Sequence, residues 1–329
     1  MWKYVLKRII LLVPVILGTI LVVFFIMDQS DVDPARVILG DAATEETLAQ
    51  LHEELGLNDP FLLRYGRYVL NLLKGDMGES YSYRTAVSGE IAKRLPNTFL
   101  LAATGVLLSV IVGIPIGVIA AKKQYSIFDN VSMVFCLFSA SAPAFWVGLV
   151  LVLTFSLTIP ILPASGMGNG FWGVVRSLIL PAITLSLHGT ATAARTTRSA
   201  MLETIRQDYI DTARAKGTNE ATITVRHMLR NALIPVITAV GLNFGVLLGG
   251  SVLTETVFAW PGIGRYVIES IKTQDIPSVL GCVVTLSIMF TIVNLLVDIL
   301  YAFVDPRIKA QFAGKSLKKK KAREEATHE

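Results

Sequence analysis

The sequence predicts an all-α integral membrane protein with six transmembrane helices and with both termini in the cytoplasm. Three observations support this prediction. Hydrophobic residues make up 53% of the 329 positions, and the mean hydropathy is +0.58, which is too apolar for a soluble domain of this length. The apolar residues are concentrated in six long stretches. Lysine and arginine are concentrated in alternate connections between those stretches.

Each apolar stretch is a candidate membrane span. A bilayer core of about 30 Å requires roughly 20 residues of helix, because a helix rises about 1.5 Å per residue and satisfies its own backbone polar groups. The fourth stretch is shorter and carries His188 and several hydroxyl groups, so a re-entrant segment is the alternative there. A crossing is favoured, because it separates the basic segment 195–230 from the nearly uncharged loop after residue 157. The predicted spans are 9–27, 97–121, 131–157, 178–194, 232–254 and 279–304.

The orientation follows from the distribution of lysine and arginine. Short connections on the outer side hold only Arg176, Arg265 and Lys272. Cytoplasmic connections are enriched in these residues, so the richer side is the cytoplasm. The net charge of +5 therefore reflects topology and the membrane surface, and it does not indicate nucleic-acid binding. The basic groups of the inner side are Lys3, Lys7, Arg8, Lys122, Lys123, the segment 195–230 and the lysines at 318–321.

Four regions are expected along the chain. Residues 1–27 form an uncleaved first span, because the apolar run is long and no small-residue cleavage site follows it. Residues 28–96 form an extracytoplasmic subdomain with helical patterning, which is either a solvated connector or a docking surface for a soluble partner. Residues 97–305 form the transmembrane core, and residues 306–329 form a basic cytoplasmic tail. Cys136 and Cys282 lie in predicted spans, so neither a disulfide framework nor a metal site is expected.

The longest inner connection, 195–231, has the pattern of two short helices separated by a break. Gly217 suits the position just after a helix end, where φ is often positive, and Thr218 or Asn219 suits the N-cap of the next helix. Such an element either docks a soluble partner or lies on the lipid headgroups, as basic helices also do.

The same connection resembles the EAA loop of ABC importer permeases. The matching runs are DYIDTARAKG, at 208–217, and RHMLRNALIP, at 226–235. Asp211 stands at the acidic position of that motif, Ala213 at one of its two alanines and Gly217 at its glycine, whereas Thr212 departs from the other alanine. Pro235 falls later than in the generic motif, as it does in the dipeptide and oligopeptide branch. The resemblance assigns coupling to an ATPase to Asp208, Tyr209, Asp211, Thr212, Ala213, Ala215, Lys216 and Gly217.

Other segments resemble the B-type permease of peptide importers along nearly the whole chain. They include LPASG at 162–166, ETVFAWPG at 255–262 and NLLVDILYAFVDPR at 294–307. The resemblance implies the type I ABC importer transmembrane fold and a permease subunit that translocates short peptides across the cytoplasmic membrane of a prokaryote. The implied partners are a second, related permease subunit, two cytoplasmic ATPase subunits and an extracytoplasmic substrate-binding protein. Those ATPases use ATP and Mg, so no cofactor is expected on this chain. A nickel or metal-chelate permease of the same branch is the alternative.

Two other classes of protein are weighed against a permease. An enzyme is not favoured, because the histidines are scattered and the sequence lacks HExxH and GxSxG motifs. Residues 314–316 spell the end of a P-loop, but Lys309 occupies the position of its first glycine, so ATP hydrolysis is expected in separate subunits. An ion-coupled secondary transporter would carry ionisable groups deep in its spans. Asp298 and Glu255 lie near span ends, where pairing with a neighbour is the better expectation.

Polar residues inside the spans are candidates for the translocation pathway. Ser141, Asn243, Ser251 and Glu255 are placed along it. The alternative role for such residues is hydrogen bonding between packed helices, which is common in membranes.

The outer loop at 257–264 is largely apolar. Irregular backbone of that kind needs cover from protein or from a cavity. Trp260, Pro261 and Gly262 are therefore placed at the outer gate of the pathway. Anchoring at the membrane interface is the alternative for Trp260 and Tyr266.

Overall fold

The computed structural model describes residues 2–30, 32–40 and 42–304. Over these residues every regular element is a helix, and the one strand-like pairing is an isolated antiparallel bridge between Glu79 and Ala86. The all-α prediction is confirmed. The predicted basic tail 306–329 and the side chain of Asp298 lie outside the described part of the chain.

The helices follow one another in a simple order. Helix α1 spans Trp2–Asp28, and three short helices come next, α2 (Pro34–Leu39), α3 (Glu45–Glu54) and α4 (Phe61–Leu73). The long helix α5 (Val87–Lys122) precedes α6 (Ile127–Ser141) and α7 (Ala144–Val152), which continues into a π-helical turn at Leu153–Thr158. Helices α8 (Gly170–Ile205), α9 (Asp208–Ala215) and α10 (Glu220–Thr222) follow, and α10 runs through a π-helical segment, Ile223–Leu229, into α11 (Arg230–Gly250). The described chain ends with α12 (Val252–Val257), α13 (Ile263–Lys272) and α14 (Ile276–Val304).

Five helical stretches in the described residues are long and apolar enough to cross a membrane, and the count is six if α6 and α7 together form one span. That pair is bent by 102°, so the predicted span 131–157 is broken near its middle. Ala142 has extended backbone and Pro143 is the N-cap of α7. Proline lacks the N–H group that would continue α6, and it drives the preceding residue out of the helical region.

The fourth predicted span, 178–194, is the middle of α8, a continuous helix of 36 residues. The re-entrant alternative for this stretch is therefore wrong. Two of its hydroxyl groups are satisfied within the helix, since Thr184 Oγ1 donates to Leu180 O and Ser186 Oγ donates to Ile183 O, both at 2.9 Å.

The contact between α5 and α8 forms the centre of the molecule. A Cβ added to Gly113 would lie 2.8 Å from the Ala193 Cβ, and one added to Gly117 would lie 2.5 Å from the Ala194 carbonyl oxygen. Small residues allow two backbones to approach this closely, which is how helices associate in a membrane. The apolar core around this contact includes Leu101, Leu185, Leu248 and Trp260.

The segment between α1 and α5 packs against α1. Arg64 Nη1 donates to Asp28 Oδ1 at 2.6 Å, and the Tyr65 hydroxyl donates to the Leu17 carbonyl at 3.2 Å. The segment also has a small apolar core of its own, formed by Ala35, Leu48 and Leu51. Its assignment to the extracytoplasmic side stays a prediction.

Candidate functional site

The inner connection forms a helical hairpin, residues 206–231, which we name the coupling hairpin. Its first helix, α9, ends in a Schellman motif: Gly217 N–H donates to Arg214 O at 2.9 Å, and Thr218 N–H donates to Ala213 O at 3.2 Å. Gly217 has a φ of +78°, so its predicted positive φ is confirmed. A Cβ added there would meet no atom within 4 Å. The backbone conformation alone therefore favours glycine at this position.

Asn219 begins the second arm of the coupling hairpin. Its Oδ1 accepts from Ala221 N–H at 2.8 Å, which identifies Asn219, rather than Thr218, as the N-cap. Arg214 joins the two arms, because it donates to Glu220 at 2.8 Å and to Asp211 at 3.2 Å. Exposed ion pairs of this kind contribute little to stability, so the position of the hairpin depends mainly on packing.

Ile210 provides that packing. It is fully buried, in an apolar cluster with Met201, Ile223 and Met228 at the ends of longer helices. Because Ile210 points inward, most other side chains of α9 point outward. Asp208, Tyr209, Asp211, Thr212, Ala215, Lys216 and Gly217 are exposed, and Ala213 is half-buried. The structure thus brings the predicted coupling residues onto one short, exposed helix and its turn, and their coupling role stays a prediction.

Two contacts near this hairpin were missed by the sequence analysis. Asn231 Nδ2 donates to the Tyr209 hydroxyl at 2.9 Å, which ties α11 to α9. Arg198 donates to both carboxylate oxygens of the buried Asp129, at 2.6 and 2.7 Å, which ties α8 to the start of α6. Both contacts join residues far apart in sequence, so no local pattern indicates them. For Asp129 and Arg198, their opposite charges were the only available signal.

Glu255 lies at the centre of residues 251–265. This range contains helix α12 and the apolar loop 257–264, and we name the whole range the outer loop from here on. The Glu255 side chain is fully buried. One carboxylate oxygen accepts from Ser251 Oγ at 3.0 Å and the other from Arg265 N–H at 3.1 Å. Arg265 belongs to the first turn of α13, where a carboxylate satisfies free amides and faces the positive end of the helix dipole. The expectation that Glu255 pairs with a neighbour is confirmed.

Trp260, Pro261 and Gly262 connect this carboxylate to α5. Trp260 is fully buried, and its Nε1 donates to the Asn97 carbonyl at 3.0 Å. Asn97 Nδ2 in turn donates to the Pro261 carbonyl at 2.9 Å. A Cβ added to Gly262 would lie 2.2 Å from Glu255 Oε2. These contacts hold the apolar loop against the helices, and its role as an outer gate stays a prediction.

The alternative of interface anchoring is wrong for Trp260 and for Tyr266. Both side chains are fully buried, whereas an anchor exposes its ring to the lipid headgroups. The Tyr266 hydroxyl lies 2.7 Å from Ser278 Oγ, and the Arg94 guanidinium lies 4.3 Å from the centre of the Tyr266 ring. Tyr266 is therefore a packing residue between α5, α13 and α14.

The four predicted pathway residues do not converge on one place. Ser251 and Glu255 are bonded to each other. Ser141 is exposed and its hydroxyl donates to the Leu137 carbonyl at 2.9 Å, and Asn243 is half-buried. Among the described residues, no hydrogen bond joins Ser141 or Asn243 to the buried pair. In the same part of the chain, no group of three His, Cys, Asp or Glu side chains could hold a metal ion.

Known proteins similar to this chain are membrane components of transport systems. The dipeptide transport system permease protein DppB of Alkalihalophilus pseudofirmus is 39% identical over an alignment of 332 positions, which covers 94% of this chain and 100% of that protein. The glutathione transport system permease protein GsiC of Salmonella paratyphi A is 39% identical over 309 residues, which cover 94% of this chain and 99% of that protein.

A solved structure has the same fold. A chain of the MetNI methionine ABC transporter, in an inward-facing conformation, matches with a TM-score of 0.54 and 18% sequence identity over 66% of this chain and 96% of that chain. The predicted ABC importer transmembrane fold is confirmed by this match, which at such low identity concerns the fold alone.

Matches to protein families cover almost all of the described residues. The family described as "Binding-protein-dependent transport system inner membrane component" matches residues 113–310. The N-terminal family of the same membrane components matches residues 1–102. The chain therefore belongs to the family of inner membrane components of binding-protein-dependent transport systems.

Proposed function

We propose that this chain is one permease subunit of an ATP-driven importer of short peptides. One observation supports this proposal above the others: the chain spans nearly the full length of permease proteins whose names specify dipeptide and glutathione transport, at 39% identity. Both named cargoes are short peptides with charged ends. The names of these relatives therefore support a peptide of similar size as the cargo of this chain.

The coupling hairpin supports a role for partner ATPases. Its first helix and turn project exposed side chains, while Ile210, the one buried residue of α9, anchors that helix to the apolar cluster at the ends of the long helices. A soluble subunit that grips α9 would therefore move the inner ends of α8 and α11 with it. ATP and Mg are bound and used by that subunit, and this chain converts its movement into opening and closing of the pathway.

Two further partners complete the proposed assembly. A second, related permease forms the other wall of the pathway. An extracytoplasmic protein delivers peptide to the outer face, where 28–96 is the longest predicted extracytoplasmic segment. Alternating access follows, because the pathway then opens to the binding protein in one ATPase state and to the cytoplasm in the other.

Reconstitution into liposomes tests the proposal. The chain is assembled with its second permease, its ATPases and the substrate-binding protein, and uptake of a labelled dipeptide is measured. We expect uptake to require ATP and to persist when proton and sodium gradients are collapsed by ionophores. The control is the same chain without ATPases. Uptake by that control under an ion gradient would instead make the protein a secondary transporter.

A further inference from the structure

A cleft of about 360 Å³ lies within the 28–96 segment, between its helices α2 to α4 and the turn that precedes α5. Its walls carry two carboxylates, Glu54 and Glu79, and two guanidinium groups, Arg67 and Arg84. Concave sites of roughly 300–1,000 Å³ are typical of small ligands, whereas a stable protein partner covers about 800 Å² of surface on each side. The size and the mixed charge favour a small molecule that carries both signs of charge.

The cleft continues into a smaller cavity of about 130 Å³. The two spaces share Leu55, Arg67, Tyr81 and Pro277 in their walls. Tyr68 also lines the smaller cavity, and its hydroxyl oxygen is buried without a hydrogen-bond partner in the described part of the chain. Buried polar atoms are nearly always bonded, so this hydroxyl is available to a polar group of a ligand.

Arg84 is held at the cleft by a strained turn. Its φ is +51°, a value that residues other than glycine rarely adopt. Ser80 N–H donates to Thr85 O and Arg84 N–H donates to Ser80 O, both at 2.9 Å, and Ser80 Oγ donates to the buried Asp275. Strained residues persist where their surroundings fix them, and they cluster at ligand sites. The turn thus fixes the backbone of Arg84 at the wall of the cleft.

We propose that the cleft and its inner cavity bind a short peptide through the peptide's free α-ammonium and α-carboxylate groups. Glu54 and Glu79 face the ammonium group. Arg67 and Arg84 face the carboxylate, because a planar guanidinium matches a carboxylate with two parallel hydrogen bonds. The Tyr68 hydroxyl is a further donor in the inner cavity. This inference rests on the proposed peptide cargo.

Arg67 remains competent for this role although it already has a partner. It donates to Asp59 at 2.6 Å, and a guanidinium has five N–H donors. The ion pair also orients the side chain along the cleft wall. A purely anionic ligand, such as a phosphate, would leave the two carboxylates of the cleft facing a like charge, which disfavours it.

Equilibrium dialysis of labelled glycyl-leucine against the assembled transporter, with the substrate-binding protein left out, tests the site. We expect saturable binding that is lost when the peptide is acetylated at its amino end or amidated at its carboxyl end. Arg84→Gln and Glu54→Gln should each weaken binding by about tenfold. Matched charge removals outside the cleft, Arg36→Gln and Glu46→Gln, should leave binding unchanged.

Tyr68→Phe separates ligand binding from folding. The lost hydroxyl has no partner in the described part of the chain, so the thermal midpoint should be kept while peptide binding weakens by a smaller factor than in Arg84→Gln. Absence of saturable binding, or equal binding by the parent and the Arg84→Gln protein, would overturn the proposal. So would a weaker affinity of Arg84→Gln for the substrate-binding protein with no binding of free peptide, because the cleft would then be a docking surface.

ATP-driven uptake by the complete transporter distinguishes failure of this inference from failure of the proposed function. Peptide uptake without peptide binding at the cleft rejects the cleft and keeps the cargo. No uptake of any short peptide, in a preparation whose ATPases are active, rejects the cargo itself.

Discussion

The coupling hairpin and the outer loop each end a helix with a Schellman motif, but a different type of residue occupies the left-handed position of that motif. In the coupling hairpin the left-handed position is Gly217, with a φ of +78°. In the outer loop it is Ala259, with a φ of +47°, and Trp260 N–H donates to Glu255 O at 2.8 Å to close the motif. Alanine is disfavoured in this conformation. The exposed turn thus relies on local preference, whereas tertiary contacts hold the buried turn against that preference.

The two regions should therefore respond differently to substitution. The coupling hairpin is anchored to the long helices through Ile210 and exposes most of its other side chains. The outer loop surrounds a buried carboxylate and a buried indole. We expect changes in the outer loop to reduce stability first, and changes in the hairpin to reduce transport first.

Gly262→Ala should have the largest effect on folding. The added Cβ would lie 2.2 Å from Glu255 Oε2, so the carboxylate must leave its bonds to Ser251 and to the start of α13. Overpacking of this kind costs about 3 kcal/mol. The thermal midpoint of the purified complex should fall clearly. Gly249→Ala is the control, since a Cβ there meets nothing within 4 Å; equal midpoints for both variants would mean that the outer loop is not rigidly packed.

Trp260→Phe should have the second-largest effect, a loss of about 2 kcal/mol in the free energy of unfolding. The change removes the indole N–H that satisfies the Asn97 carbonyl, and it also leaves unfilled volume in a buried position. Thermal unfolding of the complex measures the loss. Trp172→Phe serves as the control, because Trp172 is 74% exposed. A similar loss in both variants would contradict the packing role assigned to Trp260.

The difference between the two regions also explains what could be predicted from the sequence. The break at Gly217 and the cap that follows it are local features, so residue types alone indicated the break and narrowed the cap to Thr218 or Asn219. The anchor Ile210 could not be identified, because α9 has only 8 residues and shows too few turns for a periodic pattern. The position of Glu255 depends on amides of α13, which local patterns do not place beside it.

The transmembrane helices show the same limit. Apolar length predicted where the long helices lie, because the bilayer imposes that length on any span. It did not predict the bend of 102° between α6 and α7. Prolines occur both at that bend, as Pro143, and inside the continuous helix α8, as Pro181. Whether a proline breaks a helix depends on whether neighbouring elements satisfy the freed backbone groups, which requires the tertiary structure.

Gly217→Val tests the coupling hairpin. A β-branched residue at positive φ costs about 1–2 kcal/mol, and this strain falls on an exposed turn that is not part of the apolar core. ATP-driven uptake should fail, while the thermal midpoint falls by less than in Gly262→Ala and the amount of protein in the membrane stays close to that of the parent. Gly217→Asn is the matched control, because asparagine tolerates this conformation. Normal uptake together with normal co-purification of the ATPases in Gly217→Val would show that the turn does not couple the subunits.

Ala259→Gly should have the smallest effect and the opposite sign. Glycine relieves about 1–2 kcal/mol of left-handed strain, while its greater freedom in the unfolded chain costs about 0.5–1 kcal/mol. The net gain of about 0.5 kcal/mol should raise the thermal midpoint slightly. Ala213→Gly, inside α9, is the control: no positive φ is relieved there, so the midpoint should fall by an amount equivalent to about 1 kcal/mol. If both variants lowered the midpoint, Ala259 would not be strained, and the two turns would differ only in exposure.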